Sequence, residues 1–253
     1  MGATNSKWRG GQLAFFDGST YETVEPFSPI YVYDDFLGYD VAKTNGQFFN
    51  LKSITDSFWT IAATGVGGPA TAKKSLSNVT LHLEADAETE DAGIYSNTLS
   101  FNIDKGPIFE ARIDVAVLPT DVAEVHIGFQ GEAHVADDQV AAADDIDLHI
   151  FFVLDGSGAY VIYTDSGAAG GHNTAIATGI TAVPGTYNVL RIDCTDAANV
   201  KFYVDGAGVA TGTTFDLSNG TMMLMPNIMV TKAGGAGLCD VKIDYVRVWQ
   251  ATR

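Results

Sequence analysis

A chain of 253 residues with 46% apolar side chains can bury a substantial core, which sets it apart from disordered polymers. Its 31 Asp plus Glu against 14 Lys plus Arg leave a formal net charge of -17, a field that repels phosphate backbones and anionic membranes, so neither nucleic acid nor membrane is expected as a partner. No apolar run approaches the roughly 20 residues that span a bilayer, and 27 glycines suit short strands with tight turns rather than long helices.

The first thirty residues stand apart. MGATNSKWRGG has no apolar core of the kind a secretory signal carries, which predicts a protein kept in the cytoplasm where it is made, or a mature form. Met1-Gly2 followed by Ser6 matches a myristoylation pattern, but a bland arm explains it better. Gln12–Phe16, the turn Asp17-Gly18-Ser19 and Tyr21–Val24 read as a hairpin, after which Pro26 and Pro29 break the ladder. Residues 1–30 are therefore expected to form an arm or hairpin that packs on its own chain or clasps a neighbour, and residues 31–253 the main domain.

From Tyr31 onward apolar residues recur with period two. Val79, Leu81 and Leu83 are followed by Leu99, Phe101 and Ile103. Phe109, Ala111, Ile113, Val115 and Val117 alternate with Glu110, Arg112 and Asp114; Val125, Ile127 and Phe129 alternate with Glu124, His126 and Gln130. Such alternation marks strands with one buried and one wetter face. Asp145–Leu154 and Ala159–Thr164 flank the turn Asp155-Gly156-Ser157-Gly158 as a hairpin. Ser166–Asn173 reads as a glycine-rich loop, and strands follow at Tyr187–Cys194, Val200–Val204, Met222–Val230 and Val241–Trp249. This predicts an all-β fold, a two-sheet antiparallel jelly-roll β-sandwich.

Several segments resemble the concanavalin A-like lectin and glucanase superfamily, including its laminarinase-like and laminin G-like branches. They are Asp34-Asp35-Phe36 with Trp59, Gly93–Ser96 with Gly106–Ile113, Asn188–Gly206, and the closing Ile243–Trp249. The resemblance covers most of Tyr31–Gln250 and implies the jelly roll; it says less about function, because lectins, hydrolases and virion proteins share the scaffold. Laminarinase-type enzymes carry Glu-x-Asp-x-Glu or a one-residue-longer form, since a retaining glycosidase needs two carboxylates about 5 Å apart. This chain has Asp145-Ile146-Asp147-Leu148-His149 instead, so catalysis is not expected.

If the wetter faces of three strands line one sheet, Glu110, Arg112, His126, Gln130, Asp145, Asp147 and His149 form a polar ligand groove suited to surface glycans. A solvated sheet face is the plainer explanation. Trp8, Trp59 and Trp249 are the available aromatic platforms, or core. No cofactor is expected, although calcium is possible at Asp86, Glu88, Glu90 and Asp91, or at Asp137, Asp138, Asp144 and Asp145. Cys194 and Cys239 read as buried thiols, with one disulfide between them as the alternative. Met222, Met223, Met225 and Met229 read as core filling rather than a contact surface.

The chain also looks like phage-borne members of that superfamily in which the groove persists without catalytic carboxylates. The resemblance implies a non-catalytic structural virion protein: a capsid decoration or cement protein of a bacteriophage, homo-oligomeric, with capsid or other virion proteins as partners. The alternative is an extracellular carbohydrate-binding module or a degenerate glycoside hydrolase.

Overall fold

A computed structural model describes residues 4–9, 12–17, 30–34, 59–64, 71–74, 78–84, 87–96, 99–120, 122–131, 148–167, 172–218 and 222–250. Among them are eighteen strands and no α-helix. β1 (Thr4–Arg9) and β2 (Gln12–Asp17) pair antiparallel as a sheet of their own. Gln12–Asp17 is thus one arm of a hairpin whose other arm is Thr4–Arg9; Tyr21–Val24, the arm expected from sequence, lies outside the described residues.

The remaining strands are β3 (Ile30–Asp34), β4 (Trp59–Thr64), β5 (Thr71–Lys74), β6 (Val79–Leu83), β7 (Glu90–Ser96), β8 (Phe101–Asn102), β9 (Pro107–Val117) and β10 (Ala123–Gln130). They continue with β11 (Leu148–Leu154), β12 (Ala159–Ser166), β13 (Asn173–Thr181), β14 (Asn188–Asp193), β15 (Lys201–Val204), β16 (Ala207–Val209), β17 (Met223–Lys232) and β18 (Cys239–Gln250). Sheet I has the order β13-β12-β11-β10-β17-β7-β4, with β8 also on β17. Sheet II has the order β16-β15-β14-β9-β18-β6-β5, with β3 also on β18. The described pairings are all antiparallel.

The alternating residues meet between the sheets. Phe109 of β9 lies edge-on to Phe129 of β10 at 5.7 Å, and Phe152 of β11 to Phe202 of β15 at 5.3 Å. Val125, Ile127, Ile150, Leu190, Ile192, Val246 and Val248 complete the same layer, fully buried. Cys194 and Cys239 are free thiols within it, so the disulfide alternative is not what forms. Burial pushes both thiols above the ordinary cysteine range. Met222 joins this core and Met225 and Met229 are buried, while Met223 is exposed.

Two expectations change. Leu99 is exposed rather than part of a strand. After β8 the chain turns through a 3-10 segment, Ile103–Lys105, capped by the Asn102 side chain and by Gly106 at φ 62. β13 begins where the loop was to end and runs to Thr181. Its alternation is hidden because two register shifts, with Ala175 at φ 53 and Gly179 at φ 76, interrupt the period.

Gly128, in the middle of β10, holds φ +151. A Cβ there would meet the Ile150 carbonyl oxygen at 2.2 Å and Ile192 Cδ1 at 2.6 Å. Gly128→Ala is accordingly expected to lower stability by about 2–4 kcal/mol, read as a fall in the urea midpoint; an unchanged midpoint would show that β10 does not run as described.

Candidate functional site

The residues of sheet I that point away from sheet II form rows set by strand register. One row runs Met225, Gln130, His149, Asp165 across β17, β10, β11 and β12. The next runs Tyr95, Asn227, Gly128, Phe151, Tyr163, and a third Gly93, Met229, His126, Val153, Val161. A fourth brings Asp91, Thr231 and Glu124 together. Of the expected groove, His126, Gln130 and His149 thus share this outer face, while Asp145 and Asp147 lie outside the described residues.

Glu110 and Arg112 do not belong to it, and the groove as expected is divided. Both sit on β9 of sheet II, whose wet side faces away from sheet I. The physical reason is that period-two alternation tells which side of its own strand a residue takes, not which of two sheets the strand enters. Glu110 accepts a hydrogen bond from Tyr245 Oη at 2.8 Å and pairs with Arg247 at 2.7 Å. Burial first, then the Glu110 carboxylate, hold the Tyr245 phenol above its ordinary range. Arg112 binds Asp244 at 2.5 Å and lies 4.3 Å over the Tyr187 ring. Trp249 shares this face between Arg191 and Arg247, whereas Trp59 is buried in the core.

The outer face of sheet I is buried. His126, Gln130, His149, Phe151, Asn227 and Met229 all have 0% exposure. Phe151, Val153, Tyr163 and Met229 make a second apolar cluster, separate from the layer between the sheets. Phe151 is stacked between two imidazoles, His126 at 5.4 Å and His149 at 5.7 Å. The signal for this was present but unused: Ile150-Phe151-Phe152-Val153-Leu154 is an unbroken apolar run, the pattern of a strand covered on both faces.

Polar groups on that face are matched to one another. His126 Nε2 lies 2.7 Å from Glu124 Oε2. Asn227 Nδ2 donates to Gln130 Oε1 at 2.5 Å, leaving the Gln130 amide nitrogen and the Asn227 carbonyl oxygen unspent. Thr231 Oγ1 donates to Asp91 Oδ1 at 3.1 Å. At the edge, Asp165 accepts from the Gly167 amide at 2.7 Å and lies 2.8 Å from His172 Nδ1. Asp91 and Glu124 stand on either side of Thr231, with β17 between their strands.

Within the first acidic cluster, Glu90 and Asp91 do not face a common site. Glu90 and Asp91 diverge on opposite faces of β7. Glu90 turns inward to a buried ion pair with Lys232 at 3.0 Å and accepts the Glu84 amide at 3.0 Å. Among the described residues no group of three or more His, Cys, Asp or Glu is placed to hold a metal ion. Asp86, Asp137, Asp138, Asp144 and Asp145 lie outside them.

No protein-family model and no curated protein sequence matches the chain. Solved structures do. A β-1,3-glucanase from Mycobacterium marinum is similar with TM-score 0.54 and 18% identity, over 86% of this chain and 97% of that one. The carbohydrate recognition domain of Emp47p is similar with TM-score 0.54 and 9% identity, over 76% and 88%. That of Emp46p, in a potassium-bound form, matches with TM-score 0.52 and 9% identity, over 87% and 96%. The chain thus has the same two-sheet antiparallel sandwich fold as these lectin-domain and glucanase structures.

Asn227→Leu leaves Gln130 without its partner on a face with no exposure, which is expected to cost about 1–3 kcal/mol. Replacing both residues by Leu recovers most of that. A double-mutant cycle by thermal unfolding checks it, and a single-mutant cost near zero would mean that water reaches this face.

Proposed function

We propose that the chain is a non-catalytic structural protein of a bacteriophage particle, a decoration or cement subunit on the capsid built on a lectin-like jelly roll. One observation carries this reading: on the sheet face where such a scaffold would receive a sugar, the central side chains are buried. Glycan recognition needs hydroxyl-matching groups that a ligand can reach, and His126, Gln130 and His149 have no accessible surface. The carboxylates described on that face, Glu124, Asp91 and Asp165, are hydrogen-bonded within the chain. The separate β1–β2 sheet supplies an element for clasping a neighbour. The protein would be made in the host cytoplasm and end in the virion.

A second reading, an extracellular carbohydrate-binding module, is favoured by a different feature. The unspent donor of Gln130 and acceptor of Asn227 stand side by side, which is what a single sugar hydroxyl uses. It would require the face to open.

The test is to mix the protein with capsid shells of its own phage and sediment them, in parallel with a glycan array run in calcium and in chelator and a reducing-sugar assay on β-glucans. Stoichiometric co-sedimentation with a silent array and no sugar release is the expected result. Array binding that is lost in Gln130→Ala would replace the structural reading with the second one, and sugar release would overturn both.

A further inference from the structure

We infer that two copies of this chain associate edge to edge through β13, the outermost strand of sheet I. The starting point is charge. Lys, Arg, Asp and Glu make up 18% of the chain, yet none occurs from Ser166 to Leu190. Native proteins guard a sheet edge against foreign strands with charged side chains, lysine above all, or with proline. β13 has neither over Asn173–Thr181.

Topology places this stretch where it matters. β13 pairs with β12 on one side, and no described strand pairs with its other side. Thr174, Ala175, Ala177, Gly179 and Thr181 are exposed. Just beyond, Val183 is the most exposed large apolar side chain among the described residues, at 57%. β16, which ends sheet II, lies on the same flank, as the contact of Phe152 on β11 with Phe202 on β15 requires, and its Ala207 and Gly208 are exposed and uncharged.

The occupant follows from the same charge. A chain of formal charge -17 repels its own copy over most approaches, and an edge strand drawn from a segment with no carboxylate of its own between Ser166 and Leu190 is where that repulsion is reduced. The bends at Ala175 and Gly179 leave Ile176, Ala177 and Thr178 as the extended part, so pairing is short and centred near Ala177. The Val183 side chains complete it by apolar contact. Antiparallel pairing of a strand with itself is two-fold symmetric, which closes the contact at a dimer rather than a filament.

This association stands whether or not the chain belongs to a virion, and it is tested on the purified protein alone, so its failure would leave the structural role untouched. Sedimentation velocity over a range of concentrations, at low and high salt, is expected to show a monomer–dimer equilibrium that tightens as salt screens the net charge. Ala177→Glu sets two carboxylates against each other and is expected to weaken the dimer by about tenfold or more; Val183→Asp should do the same. Both residues are exposed, so thermal unfolding of the monomer should not move. A monomer under every condition, or a dimer indifferent to both substitutions, overturns the inference.

Discussion

The phenylalanine contacts that join the sheets, Phe109 on Phe129 and Phe152 on Phe202, constrain everything on the other side of sheet I. Once Phe129 and Phe152 turn inward, period-two geometry forces Gln130, His126, Phe151 and His149 outward. The outward set is then half apolar, and an apolar set cannot be left in water without cost: each fully buried Phe, Val or Met contributes roughly 1.5–3 kcal/mol relative to exposure. Sheet I therefore has buried side chains on both faces, and the polar ones on its outer side pair with one another, His126 with Glu124 and Asn227 with Gln130.

Sheet II solves the opposite problem. Its outer side is wet, and the side chains on it are large and charged, with Arg112, Arg191 and Arg247 each within 2.7 Å of a carboxylate. These pairs are half-exposed, so their contribution to stability is small. Their consequence is electrostatic: they neutralise this face locally in a chain that is strongly acidic as a whole. The Lys232–Glu90 pair differs, since both partners are wholly buried. Losing either would strand the other, which makes the end of the β7–β17 ladder a place where the fold tolerates no single replacement.

Most of the fold was legible because its strands alternate cleanly. β9, β10, β14 and β18 follow Phe109–Val117, Val125–Phe129, Tyr187–Cys194 and Val241–Trp249 to within two residues at each end. β13 was not legible, because bulges at Ala175 and Gly179 erase the period on which the reading depends. The site was legible only in part. Gln130 and His149 do sit opposite each other, as their polar positions suggest. Met229 looks like ordinary core in sequence, and only the unbroken apolar run Ile150–Leu154 marks a strand buried on both sides.

By itself the sequence determined the class of fold, the side of each regular strand that is buried, and the lack of a laminarinase-type carboxylate motif. Those are properties of neighbours along the chain, and alternation or spacing encodes them directly. Only the tertiary structure decided that Glu110 and Arg112 face away from His126 and His149, and that Glu90 of β7 meets Lys232 of β17. These depend on which strand lies beside which. Strand order is set by the summed packing of two sheets rather than by any local pattern.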